Sequence, residues 1–111
     1  MSDEKIPYIK WGDFHSKDKD SPDRIIIEVV DPTPFDSEYS TNVKVRVAEN
    51  GNTEEKYLPL KSHESVNASL LKMWTENVKE GRIKKGTKLV VKTWLGLSKN
   101  NRPIRRYELE F

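Results

Sequence analysis

Along most of this chain apolar and polar positions alternate with a period of two, the signature of strands with one buried face. Arg24–Val30 (R-I-I-I-E-V-V) is a β-branched run and reads as a first strand. Asp31-Pro32-Thr33-Pro34 is expected to end it, since two prolines cannot donate ladder hydrogen bonds. A loop carrying Phe35 and Tyr39 follows. In Asn42–Ala48 the alternation is strict: Val43, Val45 and Val47 face one way, Lys44 and Arg46 the other. Asn50-Gly51 is the strongest hairpin signal in the chain and turns it into a third strand, Glu55–Leu60. There Leu58 and Leu60 point inward, and Glu55, Tyr57 and Pro59 outward.

The period then lengthens. Val66, Leu70, Met73, Trp74 and Val78, with Leu71, recur at helical spacing and predict one amphipathic helix of about four turns. Ser62 or Ser65 suits its N-cap, and Gly81 sits where a C-terminal cap belongs. Trp74 lies in the apolar stripe and is assigned to the core. Two further strands follow. In Lys88–Leu95 the set Leu89, Val91, Thr93 and Leu95 is the better inward face, which leaves Lys88, Val90, Lys92 and Trp94 outside. In Ile104–Phe111 the set Arg105, Tyr107, Leu109 and Phe111 looks inward, and Ile104, Arg106, Glu108 and Glu110 outward. Between them Ser98–Pro103 makes a turn, so the last third of the chain reads as a basic, aromatic-bearing hairpin.

Residues 1–24 read as an extension, with residues 25–111 forming the domain proper. Ile6–Trp11 suits a short docked strand. Trp11 then serves either as a lid over a ligand or as a staple for the extension. Asp13–Asp23 is a charged loop. Its Asp18, Asp20 and Asp23 lack the glycine and the closing glutamate of a calcium loop and read as solvated.

Composition narrows the function classes. With 111 residues, 34% apolar and 34% charged, the chain holds a modest core and little apolar surface for a deep pocket. It has no cysteine, which excludes disulfides, thiolate nucleophiles and cysteine-ligated zinc. The start lacks an apolar run fit for a signal peptide, and no stretch approaches membrane-spanning length. A soluble, intracellular, cytoplasmic protein is the expectation. The net charge of +2 conceals a segregation: residues 1–60 carry 13 acids and 8 Lys/Arg, residues 61–111 carry 5 acids and 12 Lys/Arg. A basic second half suits an anionic partner.

The order strand, strand, strand, helix, strand, strand over residues 25–111 resembles the OB-fold, a five-stranded Greek-key barrel. Within it the chain looks most like small single-stranded DNA-binding proteins of the replication-protein-A-like or phage type. The resemblance is carried by the texture of Lys88–Trp94 and Arg102–Tyr107 rather than by a diagnostic motif. Bacterial-type single-strand binders use an acidic, Gly/Pro-rich tail to recruit partners, and recruitment of that kind is not expected here. The resemblance implies binding to single-stranded DNA in replication or repair, across the face of strands two and three and the loops that flank it. Mapped onto this chain, that nominates Lys44, Arg46 and Tyr57 on the face and Phe35 and Tyr39 in the first loop. It also nominates Lys99 and Arg102 in the last turn and Lys88, Lys92, Trp94 and Arg106 on the final hairpin. Cations would follow phosphates and rings would stack on bases with little sequence discrimination. Trp94, an outward tryptophan on the face that carries Lys88 and Lys92, is the sharpest of these; Phe35 fits a barrel plug as well as a stacking ring.

Two other ligand classes fit the same residues. RNA in place of DNA is one, because stacking does not separate them. A protein partner is the other, with Trp94, Tyr57 and Arg106 as interface anchors. No enzyme is expected: His15 and His63 stand apart, no glycine-rich phosphate loop exists, and Glu54-Glu55 lies beside a turn. No cofactor or metal is implied.

Overall fold

The computed structural model describes residues 6–49 and 51–111. Five antiparallel strands and one helix follow in the order β1 (Asp23–Asp36), β2 (Ser40–Glu49), β3 (Asn52–Ser62), α1 (Ser69–Lys79), β4 (Lys88–Leu97) and β5 (Pro103–Glu110). The strands make one sheet in the order β3-β2-β1-β4-β5. Every neighbouring pair is antiparallel. Of the Asn50-Gly51 turn, Asn50 lies outside the described residues. Gly51 adopts φ +80°, the left-handed conformation that glycine takes without a Cβ penalty, and Glu49 pairs with Asn52 across it.

The sheet curls around a core of Ile25, Ile27 and Val29 from β1, Val43, Val45 and Val47 from β2, Leu58 and Leu60 from β3, and Leu89 and Val91 from β4. Each set is one parity of its strand, as alternation requires. Leu70 and Trp74 of α1, with Ile83 and Ile9, complete the core. The sheet does not close into a barrel: among the described residues β3 and β5 are its two ends and do not pair.

Side chains and the N-terminal segment occupy that seam instead. Tyr8 forms a parallel bridge to Tyr57 of β3, with Ile9 N donating to Tyr57 O and Tyr57 N to Pro7 O, both at 2.9 Å. The chain then crosses to the other edge. Trp11 Nε1 donates to Pro59 O (2.8 Å) while its ring meets Tyr107 of β5 edge-on, centroids 5.1 Å apart. Arg105 Nη2 donates to Phe14 O (2.9 Å), and Leu95 N to Ser16 O (2.8 Å). On the far side of the seam, Asn67 Nδ2 donates to Arg105 O (3.0 Å) from the loop that enters α1.

Four local expectations need correction. Strand β1 does not stop at Asp31. It continues through both prolines to Asp36, with register shifts between Val29 and Asp31 and between Asp31 and Phe35. Bulges of this kind bend a strand and relieve it of continuous pairing. Here Trp74 Nε1 also takes the carbonyl of Pro32 at 3.0 Å. The helix is shorter than its apolar periodicity suggests: it spans 11 residues from Ser69, and Val66 is 99% exposed. Neither Ser62 nor Ser65 caps it. Ala68 holds the N-cap position without a side-chain bond, and Asn67 turns the chain by accepting from Ser69 N (3.2 Å). At the chain end, Phe111 is exposed instead of inward. Among the described residues, no helix is long and apolar enough to cross a membrane.

Candidate nucleic-acid interface

The outer face of the sheet is defined by register. Lys44 of β2 lies between Tyr57 of β3 and Asp31 of β1. One step along, Arg46 lies between Glu55 of β3 and Glu28 of β1, and Glu28 is in turn opposite Lys88 of β4. Farther across, Arg24, Lys92 and Glu108 form a row, and Trp94 faces Arg106.

Two of the nominated rings come together on this face. Tyr57 stands at the centre, with Phe35 edge-on at 5.0 Å and Tyr8 tilted at 5.2 Å between ring centroids. Phe35 reaches Tyr57 because β1 is carried past its prolines, and Tyr8 because the N-terminal bridge lands at Tyr57. Offset and edge-on ring pairs of this spacing hold one another in place. The outer members keep free ring surface, Tyr8 being 40% and Phe35 39% exposed. Tyr8 was not among the nominated residues. Its signal was the short Ile6–Trp11 run, read for its docking and not for its ring.

Tyr39 stands at the β1–β2 turn, 74% exposed. That turn is well tied. Ser40 Oγ donates to Asn42 Oδ1 (2.7 Å), Asn42 Nδ2 to Ser37 Oγ (3.1 Å), and His63 N to Tyr39 O (2.9 Å). Since the carbonyl of Ser37 can only accept, His63 Nε2, 2.9 Å away, is the donor in that contact.

The cations of this face divide into two groups. Lys44 sits 3.4 Å from Glu55, and Arg46 reaches both Glu55 (3.4 Å) and Glu28 (3.7 Å). Lys92 is bracketed by Glu110 and by Glu108 at 4.0 Å, and its ammonium, by hydrogen bond and charge, holds the Glu110 carboxyl below its usual range. These three are already matched by carboxylates from neighbouring strands. Lys88, Lys99, Arg102 and Arg106 form no ion pair among the described residues.

The last hairpin presents its residues as follows. Ser98 N donates to Arg102 O (2.8 Å), Asn101 N to Ser98 O (3.0 Å) and Arg102 N to Ser98 Oγ (3.2 Å). This turn holds Lys99 and Arg102 out at its tip. Arg106 lies across Gly96, where a Cβ would come within 3.2 Å of Arg106 Cγ. Trp94 has the outward parity expected of it but is only 9% exposed. Little of its ring is open to a base.

Lys88, Trp94 and Arg106 thus occupy the β4–β5 half of the face, separated by β1 from the Tyr57 cluster on the β2–β3 half. Among the described residues no group of three or more His, Asp or Glu is placed to hold a metal ion. No protein-family model matches the chain, and neither a curated protein nor a solved structure matches it.

Proposed function

We propose that this chain binds single-stranded DNA with little sequence discrimination, across the outer face of β2 and β3. The observation that carries the reading is the ring cluster, Tyr57 with Phe35 at 5.0 Å and Tyr8 at 5.2 Å, beside Lys44. Exposed, mutually braced rings next to a cation offer what a single strand needs: faces for its bases and charge for its phosphates. The strand order β3-β2-β1-β4-β5 supports it as well, since an OB-type barrel has this neighbour order and binds oligonucleotides on the β2–β3 side. In this reading Tyr8 and Phe35 stack on successive bases and Tyr57 sets their spacing. Tyr39, Lys99 and Arg102 extend the contact from the flanking turns, with Lys88 and Arg106 drawing phosphates from the β4–β5 half.

Titration with an oligo-dT of about 15–20 nucleotides at several salt concentrations tests the reading, with duplex DNA and RNA of equal length as controls. Preference for the single strand and a steep fall of affinity with salt support it. Equal binding of duplex, or none at low salt, rejects it.

One observation favours a second reading, a protein-docking face. Lys44, Arg46 and Lys92 are each neutralised by glutamates. A face with matched charges and a ring cluster suits an interface whose affinity changes little with salt. The same salt series separates the two.

A further inference from the structure

The seam between β3 and β5 opens into a cleft of about 320 Å³, lined by the last residues of β3, the first of β5, Trp11 and the loop before α1. That volume is at the lower end of the range of small-ligand sites, roughly 300–1,000 Å³. Its charge differs from that of the outer face. The lining contains Lys61 and Arg105 and, among the described residues, no carboxylate.

Arg105 is the more telling of the two. It is half-buried, and its guanidinium bonds neutral oxygens alone, Thr93 Oγ1 at 3.0 Å and Phe14 O at 2.9 Å. Among the described residues it has no ion pair. A partly desolvated guanidinium without a counter-ion is costly, and with five N–H donors it retains capacity for an anion. Around it, Ser62 Oγ accepts from Glu64 N and Ser65 Oγ accepts from Asn67 N, which leaves each hydroxyl proton to donate elsewhere. Trp11 and Tyr107 supply an aromatic wall. Cations, hydroxyl donors and rings without acids make a site for a phosphate attached to a flat, aromatic group.

The cleft also continues the path of the outer face. Lys61 is four residues beyond Tyr57 on β3, about 13 Å along the strand. Trp11 follows Tyr8 on the segment that bridges the seam.

We propose that the seam cleft holds one phosphate-bearing nucleotide of the bound strand, its phosphate on Lys61 and Arg105 and its base against the Trp11–Tyr107 wall. This rests on the single-strand reading, and it adds a defined subsite to an otherwise open face.

The test titrates the full chain with thymidine 5′-monophosphate alone, with inorganic phosphate alone and with an oligo-dT, following backbone and indole N–H resonances. The mononucleotide is expected to shift Trp11 Nε1–H and the amides of Lys61, Ser62 and Arg105. Lys61→Glu should weaken it about tenfold through loss of one charge-assisted contact, while Lys79→Ala, in the last turn of α1 and outside the cleft lining, leaves it unchanged. Because Arg105 also braces Thr93 and Phe14, Arg105→Gln is read together with Ser65→Trp, which fills the cleft without touching those bonds. Oligo-dT binding with no shift at the cleft overturns the subsite and leaves the single-strand reading standing. Mononucleotide shifts without oligo-dT binding reject the strand and leave a free-nucleotide site. Equal shifts from inorganic phosphate remove the base from the proposal and overturn it.

Discussion

The indole of Trp11 is edge-on to the ring of Tyr107, 5.1 Å between centroids, while its N–H is donated to the carbonyl of Pro59 2.8 Å away. One side chain therefore joins the two ends of the sheet, β5 through its ring and β3 through its nitrogen. Strand pairing would close such a barrel with a ladder of backbone bonds; here a tryptophan, the Asn67–Arg105 bond and the Arg105–Phe14 bond do the work. Pro59 fits this edge because a residue without an N–H loses nothing where no ladder continues.

Trp11→Ala is expected to destabilise the fold by about 3 kcal/mol, at the lower end for a large aromatic because the ring is only partly buried. Trp11→Phe keeps a ring against Tyr107 and forfeits the bond to Pro59, a loss of about 1 kcal/mol. Urea denaturation of the two variants separates the ring from the hydrogen bond. Equal losses would mean that the indole N–H contributes the whole effect.

For the ring cluster, Tyr8→Ala and Phe35→Ala should each weaken oligo-dT binding by about 1–3 kcal/mol, the usual worth of one stacked base. Tyr57→Ala should cost more than either, because both outer rings lean on it. Fluorescence anisotropy at fixed salt gives the affinities. An order in which Tyr57→Ala is the mildest would remove its role as the brace.

Glu55 holds back two cations, Lys44 and Arg46, both at 3.4 Å. Glu55→Gln releases them in part, since Glu28 still reaches Arg46 at 3.7 Å. The variant should bind single strands more tightly at low salt, with the slope of log K against log salt steeper by about one unit. Fold stability should change by less than about 1 kcal/mol, the usual worth of exposed pairs. An unaltered slope would mean that phosphates do not pass Lys44 and Arg46.

Much of this architecture was legible in the period of the chain. Val43, Val45 and Val47, then Leu58 and Leu60, then Leu89, Val91 and Thr93 are buried on the parity that alternation assigns them, and Trp74 is fully buried in the helix stripe. What escaped was decided at long range. Strand β1 persists beyond its prolines where the Trp74 indole takes the carbonyl of Pro32, a contact between segments 42 residues apart. The helix starts late because Asn67 is engaged by Arg105 of β5, which no local spacing reveals. For the site, outward parity puts Lys44 opposite Tyr57, with Arg46 and Lys92 in carboxylate-flanked rows of the same face. Their neutralisation by Glu28, Glu55, Glu108 and Glu110 depends on cross-strand register, which is fixed only once the strands pair.

Trp94 illustrates the difference between facing outward and being accessible. At 9% exposure it offers little stacking surface, so Trp94→Ala should lower stability by about 3 kcal/mol. Affinity for oligo-dT should fall by less than that of Phe35→Ala, measured at a temperature where both variants are folded. A larger affinity loss at Trp94 with stability intact would move the site to the β4–β5 half.

Tyr107 carries the clearest pH signature. Burial pushes its phenol from 10.0 up to about 12, against a smaller opposing effect of the Arg105 charge. The folded state thus keeps a proton that the unfolded chain releases near 10, so folding binds more protons than unfolding in that window. Stability must therefore fall as pH rises from about 10 to 12, by on the order of 2 kcal/mol for this group, and be unaffected by it below pH 9. Lysines titrate over the same range, so the effect is read as a difference from Tyr107→Phe. That variant retains the ring against Trp11 and should show a shallower alkaline loss. Parallel curves for the two proteins would mean that the phenol ionises as readily in the fold as out of it, and that the seam around Tyr107 is open to water.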